Sequence, residues 1–150
     1  MEITIRKVSV KDAIDISRLS GQLGYTISPK QTATQLLSIN SSRNDIAYTA
    51  TIDRKIVGWI HAFYTKRLEC TSYCEIGGLV VDEQRRGMGI GKMLIEHIKL
   101  WCRDKGCNTL KVRSNVKRTE AHKFYLHSGF DEKKEQKVFE IQLTDQNKSR

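Results

Sequence analysis

The sequence predicts an α/β fold, in which a mixed central sheet of about seven strands has helices on both faces. Stretches that alternate apolar and polar residues, as half-buried strands do, are separated by stretches with apolar residues at helical spacing. The predicted elements follow in the order β-α-α-β-β-β-α-β-α-β-β without an internal repeat, which favours a mixed sheet. With 150 residues, 39% of them apolar, and one proline, the chain is expected to form a single domain over residues 1–150.

The N-terminal part is predicted to contain one strand and two helices. Residues 3–8 alternate apolar and polar side chains. Ser9 and Asp12 have the spacing of a capping box, so a helix is predicted to begin there, and Gly21 and Gly24 are predicted to end it. A second short helix is predicted over about residues 29–39, because Pro29, the only proline of the chain, lies near its start.

The rest of the chain alternates strands and helices. The remaining predicted elements are a hairpin of residues 46–52 and 56–64, a strand at 75–81, a helix at 89–105, a strand at 109–112, a helix at 119–127, a short strand at Phe130 and a last strand at 138–143. Gly77 and Gly78 lie inside one of these strands, and paired glycines there predict a bulge or a close approach of the backbone.

The composition favours a soluble protein with an anionic partner. The formal net charge of +9 suggests a nucleic acid, a lipid surface or a phosphorylated cofactor, or else a solubilising surface. The N-terminus lacks the apolar stretch of a signal peptide, and no run approaches the ~20 apolar residues of a membrane helix. The four cysteines lack zinc-knuckle spacing, so free thiols, no metal and a cytoplasmic location are expected.

Alternating glycines at the start of the longest predicted helix form the most informative segment. Gly87, Gly89 and Gly91 follow a predicted strand, and glycine lets a backbone approach a ligand closely. The unpaired N–H groups of a helix N-terminus bind anions, and Arg86 and Lys92 add positive charge. The segment therefore predicts a site for a phosphate group.

Two nucleotide-binding patterns do not fit this loop. In the P-loop pattern the first glycine would fall on Arg86, and the hydroxyl position would fall on Met93. The dinucleotide pattern GxGxxG fails at Lys92 and also requires an N-terminal βαβ unit.

Residues 86–91, Arg-Gly-Met-Gly-Ile-Gly, resemble the R-x-x-G-x-G motif of the GNAT superfamily of N-acetyltransferases. In that family the motif lies between the fourth strand and the third helix and holds the pyrophosphate of acetyl-CoA. The resemblance implies that acetyl-CoA is the acetyl donor. The loop residues that it implies for binding acetyl-CoA are Arg86, Gly87, Met88, Gly89, Ile90, Gly91 and Lys92.

A second segment extends the resemblance. Asn115 follows a predicted strand, and Ala121 and Tyr125 precede Gly129-Phe130 with the spacing of the family's second hallmark. By that resemblance Tyr125 faces the thioester sulfur, where a phenol can protonate the departing thiolate. Asn115 either binds the pantetheine arm or stabilises a backbone turn.

The strand before the glycine loop has implied roles too. In the family this strand is bulged, so the N–H groups around Leu79 and Val80 would bind the oxyanion, and Leu79 and Val81 would pair with pantetheine. An alkylamine is about one part in a thousand neutral at pH 7, so a base would assist its attack. Some family members have a catalytic glutamate near the position of Glu75, which could equally be a solvent-facing charge.

The sequence leaves the acceptor open. An aminoglycoside, a polyamine, a peptide N-terminus, a lysine or another metabolite amine is compatible with it, and the resemblance also allows a homodimer. The resemblance implies that the acetyl group passes directly from acetyl-CoA to the amine in a ternary complex. Two other functions stay open, a catalytically inert acetyl-CoA sensor and a basic nucleic-acid-binding module. No continuous basic stripe with base-reading residues supports the second of these.

Overall fold

One mixed sheet with strand order β1-β2-β3-β4-β5 lies in residues 2–144, the part of the chain that the computed structural model describes. The elements are β1 (Ile3–Lys7), α1 (Ala13–Gly21), α2 (Pro29–Ser41), β2 (Asp45–Ile52), β3 (Lys55–Arg67), β4 (Cys70–Val81), α3 (Ile90–Asp104), β5 (Leu110–Val112) and α4 (Thr119–His127), with short 3-10 turns at Val10–Asp12 and Glu83–Arg85. They belong to two compact units, one ending at Arg113 and the other beginning at Ser114. The single domain over residues 1–150 stays a prediction.

The sheet is antiparallel from β1 to β4, and β5 joins β4 in parallel. The turn between β2 and β3 contains only Asp53 and Arg54, both at positive φ (50° and 67°). Such a turn twists with the two strands that it joins, as the predicted hairpin requires.

Helices cover both faces of the sheet, as the sequence predicted. On one face, Ala13 and Ile16 of α1 and Leu36 of α2 form a buried cluster with Ala47 of β2. The next residue of β2, Tyr48, points to the opposite face, where its ring meets His97 of α3 with 5.4 Å between ring centroids. The apolar side of α3 is buried there, including Ile90, Leu94, Ile95 and Ile98.

Capping boxes begin the N-terminal helical segments, and the one at Ser9 and Asp12 is as the sequence predicted. Ser9 accepts a hydrogen bond from the Lys11 N–H, and Asp12 accepts one from the Ser9 N–H at 2.8 Å. Asp12 is buried, and both of its oxygens also accept hydrogen bonds from Arg6, at 2.8 and 2.9 Å. A second box at the start of α2 pairs Ser28 with Gln31.

The last two predicted strands are absent from the described residues. Residues 130–144 form no strand, so the described sheet has five strands rather than about seven, although the fold class agrees. Val138 and Phe139 are 91% and 89% exposed. Alternating side chains define a face for burial, but a strand also needs a neighbouring strand for its backbone hydrogen bonds.

The cysteines are free thiols, and three of them, Cys74, Cys102 and Cys107, form a buried apolar cluster. Burial raises the pKa of the Cys74 and Cys102 thiols, which makes them unreactive. No helix within residues 2–144 has the length and apolar content needed to span a membrane.

Candidate active site

The β4 strand contains the bulge that the paired glycines predicted. His61 of β3 pairs with Gly78, and the next residue, Ala62, pairs with Ile76, so Gly77 is the extra residue. A Cβ on Gly77 would lie 2.9 Å from Nδ1 of His61. A Cβ on Gly78 would lie 2.7 Å from the Trp59 ring, so side chains of β3 occupy the space next to both glycines.

Beyond this bulge the sheet opens between its last two strands. β5 pairs with β4 only from Cys74 to Ile76 and ends at Val112, whereas β4 continues to Val81. On its other edge this stretch pairs with β3, with Leu79 opposite Ile60. One backbone edge of residues 79–81 is therefore not covered by β5, and an extended chain such as a pantetheine arm can pair with it.

A buried carboxylate shapes the start of the loop after β4. Asp82 accepts hydrogen bonds from the Gln84 N–H at 3.1 Å and from the side chain of Gln22, the C-cap of α1, at 3.4 Å. The Gln84 hydrogen bond is the largest of the causes that hold the pKa of Asp82 below its usual value, and Arg18 contributes to the same effect. Gln22 also accepts a hydrogen bond from the Glu83 N–H, so α1 holds the loop in place.

The glycine loop has the backbone geometry of an anion site. Gly87 and Gly89 have φ of 81° and 82°, and a Cβ at either position would meet nothing within 4 Å. Gly89 is the N-cap of α3, and the first hydrogen bond closing the helix runs from the Met93 N–H to its carbonyl at 3.0 Å. The N–H groups of the first helical turn therefore have no carbonyl partner in the helix and point at the open loop.

The predicted loop residues divide into two groups. Arg86, Met88 and Lys92 are exposed, so their side chains are accessible to a ligand. Ile90 and Gly91 are buried, and only their backbone groups are suited to contact one. Val80 is also buried, at 2% exposure, which limits it to a backbone contact as well.

Glu75 lies in β4 just before the bulge and is held by Arg113. Both carboxylate oxygens accept hydrogen bonds from the Arg113 Nε–H, at 3.1 and 3.2 Å. The Glu75 side chain is 13% exposed, so it is not the solvent-facing charge that was the alternative interpretation. Glu75 pairs across the strands with Phe63, and side chains of paired residues share one face of the sheet.

The other two predicted site residues lie in the second unit. Tyr125 of α4 packs edge-on against Phe124 and Phe130, with centroid distances of 5.3 and 5.6 Å. Burial raises the pKa of its phenol, while Arg118 opposes this shift, and the phenol stays protonated at neutral pH, as an unperturbed tyrosine does.

Asn115 forms the turn that was one of its two predicted roles. Its side-chain oxygen accepts a hydrogen bond from the Lys117 N–H at 2.9 Å, and its backbone carbonyl lies 2.8 Å from Nε2 of His122. A contact with pantetheine would use the amide nitrogen of the same side chain.

Sequence reasoning missed the pair of Asp45 and His61. The Asp45 carboxylate lies 2.8 Å from Nε2 of His61, and both side chains are about one quarter exposed, at 27% and 25%. Their separation of 16 residues matches no motif. The only sequence signal for this pair was Gly77-Gly78 in β4, because two glycines inside a strand indicate bulky side chains on the neighbouring strand.

Comparison with known proteins identifies the family. Residues 14–130 match the acetyltransferase (GNAT) family. The aminoglycoside N(6')-acetyltransferase type 1 of Stenotrophomonas maltophilia is 26% identical over 145 residues, which is 93% of this chain and 94% of the relative. The aminoalkylphosphonate N-acetyltransferase of Salmonella typhimurium is 38% identical over 56 residues, 37% of this chain and 36% of the relative.

Solved structures share the fold at lower identity. The aminoglycoside N-acetyltransferase AAC(6')-Iy, solved in complex with CoA, has a TM-score of 0.84 and 18% identity, covering 95% of this chain and 96% of that one. The glucosamine-6-phosphate N-acetyltransferase of Arabidopsis thaliana has a TM-score of 0.81 and 23% identity, covering 95% and 100%. The chain therefore belongs to the acetyltransferase (GNAT) family and is an N-acetyltransferase with acetyl-CoA as its acetyl donor.

Proposed function

We propose that the protein transfers the acetyl group of acetyl-CoA to a primary amine by direct attack in a ternary complex. The observation that carries this proposal is the continuity of the donor site. The uncovered edge of β4 at residues 79–81 leads into the glycine loop and the N-terminus of α3. An extended pantetheine arm with a pyrophosphate at its end fits that sequence of surfaces.

The pyrophosphate is bound by the loop in this proposal. The N–H groups at the start of α3 donate hydrogen bonds to its oxygens, and the helix dipole favours the negative charge. Arg86 and Lys92 add side-chain cations, and the positive φ of Gly87 and Gly89 turns the backbone around the phosphates.

Pantetheine adds to the sheet along Leu79 and Val81, and Asn115 contacts it through its side-chain amide. The backbone N–H groups around Leu79 and Val80 bind the oxyanion of the tetrahedral intermediate. The bulge at Gly77 supports this role because it interrupts the regular pairing of β4 just before these residues.

Tyr125 is the proposed general acid. A tyrosine phenol, with a pKa of about 10, is protonated at neutral pH, and burial raises the pKa of Tyr125 further, so a proton is present to donate to the thiolate of CoA as the C–S bond breaks. Tyr125→Phe removes the hydroxyl but keeps the ring contacts with Phe124 and Phe130. We expect kcat to fall about a hundred-fold or more with little change in acetyl-CoA affinity.

Glu75 is the proton acceptor that the sequence suggests. An amine with a pKa near 10.4 requires about 4.6 kcal/mol to lose its proton at pH 7, which gives a base a clear role. Because Arg113 occupies both Glu75 oxygens, we propose that the carboxylate acts through a bound water.

The amines to be tested as acetyl acceptors, here called the panel, are chosen from what the relatives are named for. Kanamycin comes first, since the aminoglycoside acetyltransferase of Stenotrophomonas maltophilia aligns with 93% of this chain. Aminomethylphosphonate and glucosamine 6-phosphate come next, because two other relatives are named for such acceptors. A homodimer and a cytoplasmic location stay predictions.

Calorimetric titration with acetyl-CoA tests the donor site. Wild-type protein is compared with Arg86→Glu at two salt concentrations, and Arg103→Glu is the control because it makes the same charge change in the last turn of α3. We expect salt-sensitive binding that is lost only in Arg86→Glu. Equal loss in both variants would mean that net charge alone attracts the ligand.

The same samples separate the alternatives. A sensor would bind acetyl-CoA but release no thiol with any amine of the panel. A nucleic-acid-binding module would bind DNA or RNA with a steep salt dependence and would not bind acetyl-CoA. Absence of acetyl-CoA binding in wild type would contradict the proposed function.

A further inference from the structure

One face of the sheet presents two carboxylates and an imidazole next to the β4 bulge. Asp45 of β2 and Glu75 of β4 both pair with Phe63 of β3, so the three side chains form a row across the strands. His61 lies two residues before Phe63 on the same face, and its ring is 5.7 Å from the Phe63 ring.

The hydrogen bond to Asp45 defines which nitrogen of His61 has the hydrogen. An ionised carboxylate only accepts hydrogen bonds, so Nε2, 2.8 Å from Asp45 Oδ1, is the donor. In the neutral ring, Nδ1 then has a lone pair. The same arrangement of carboxylate, imidazole and free nitrogen orients a general base in other enzymes.

The free nitrogen lies next to the reacting part of β4. Nδ1 is 2.9 Å from the position of a Cβ on Gly77, so the imidazole packs directly against the bulge, in the space that a side chain there would fill. His61 pairs with Gly78, which immediately precedes Leu79, a proposed oxyanion donor. The imidazole and the proposed acetyl site are thus neighbours on β3 and β4.

We propose that Nδ1 of His61 takes the proton from the acceptor amine and that Asp45 is its positioning residue. This rests on the proposed function, and it assigns the direct proton transfer to His61 rather than to Glu75, whose oxygens are bound by Arg113.

The reaction balances with these groups. The ammonium gives one proton to Nδ1, and the resulting imidazolium is stabilised by Asp45. The nitrogen lone pair forms the N–C bond, the C–S bond breaks, and its electron pair leaves on sulfur. The sulfur takes a proton from Tyr125, and Tyr125 regains one from water. The nitrogen then loses its second proton to water, and His61 releases to water the proton that it took from the ammonium.

Kinetic comparison of matched variants tests the base. With kanamycin and acetyl-CoA, we expect His61→Gln to lower kcat about a hundred-fold or more, while the calorimetric Kd for acetyl-CoA stays within about two-fold. Asp45→Asn should have a smaller effect. His97→Gln is the control, since His97 lies on α3 at the opposite face and contacts the Met93 carbonyl at 3.1 Å.

Chemical rescue distinguishes a base from a structural histidine. In His61→Ala we expect added imidazole to restore kcat, and a less basic imidazole derivative, such as 4-bromoimidazole, to restore less. A kcat of His61→Gln within about three-fold of wild type would overturn the proposal, and so would a loss that no imidazole restores.

A second readout needs no acceptor. Nitrogen chemical shifts of histidine-labelled protein report which ring nitrogen has the hydrogen, and we expect it on Nε2 of His61, with a change in Asp45→Asn. Hydrogen on Nδ1 instead would overturn the proposal. If wild type binds acetyl-CoA but acetylates no amine of the panel, the proposed function fails. If wild type is active and the His61 variants match it, only the assignment of the base fails.

Discussion

Replacing Gly89 with alanine separates the conformational role of this residue from its role in binding acetyl-CoA. Gly89 caps the N-terminus of α3 at φ 82°, and a Cβ built there meets nothing within 4 Å. The folded protein therefore has space for the methyl group. The variant has only two consequences: backbone strain at a positive φ, and an obstacle where the pyrophosphate approaches the helix.

Both consequences have an expected size. A non-glycine residue in the left-handed region costs about 1–2 kcal/mol, and the reduced entropy of the unfolded chain offsets about 0.4–1 kcal/mol of this. The net loss of about 1 kcal/mol corresponds to a fall in Tm of about 2–4 °C for a chain of this size. Losing one charge-assisted hydrogen bond, worth about 1.5–3 kcal/mol, weakens acetyl-CoA binding about ten- to a hundred-fold.

Gly106 provides the matched control, because it follows the other end of α3 at φ 78° and a Cβ there also meets nothing within 4 Å. Thermal unfolding should show similar losses for Gly89→Ala and Gly106→Ala, whereas calorimetry should show weakened acetyl-CoA binding only for Gly89→Ala. Equal binding by both variants and wild type would refute the assignment of the α3 N-terminus to the pyrophosphate.

Three further variants test the fold. In Gly78→Ala the new Cβ would lie 2.7 Å from the Trp59 ring, so urea unfolding should show a loss of about 1–3 kcal/mol, and no loss would mean that the ring moves freely. Arg54→Gly relieves a positive φ of 67° in the two-residue turn and should raise the free energy of unfolding by up to about 1 kcal/mol; a decrease would contradict this turn geometry. Burial raises the pKa of Asp12, but hydrogen bonds, led by that from Arg6, lower this pKa overall. The ionised Asp12 therefore stabilises the folded protein above the pKa of the unfolded state, about 3.9, and this contribution is lost as pH falls. Stability measured between pH 5 and pH 2 should therefore fall less steeply in Asp12→Asn than in wild type, and equal slopes would contradict the lowered pKa.

The sequence alone determined those features whose interactions are local along the chain. The capping box of Ser9 and Asp12, the hairpin turn after β2 and the glycine loop at the start of α3 each depend on neighbours within a few residues. The turn is one residue shorter than predicted, because β3 already begins at Lys55. Local hydrogen bonds and backbone torsions follow from residue type, so such patterns predict both structure and chemistry. The family motif at residues 86–91 belongs to this group, and it predicts the donor site from residue types alone.

Only the tertiary structure decided how distant side chains pair around β4. Glu75 is bound by Arg113, 38 positions along the chain, and Asp45 by His61, 16 positions along, because strand register brings them to one face. The alternation at residues 138–143 predicted a strand, yet that segment has no strand partner within the described residues. The physical reason is the same in each case, since a strand defines which side its residues face, whereas the neighbouring strand decides what they meet.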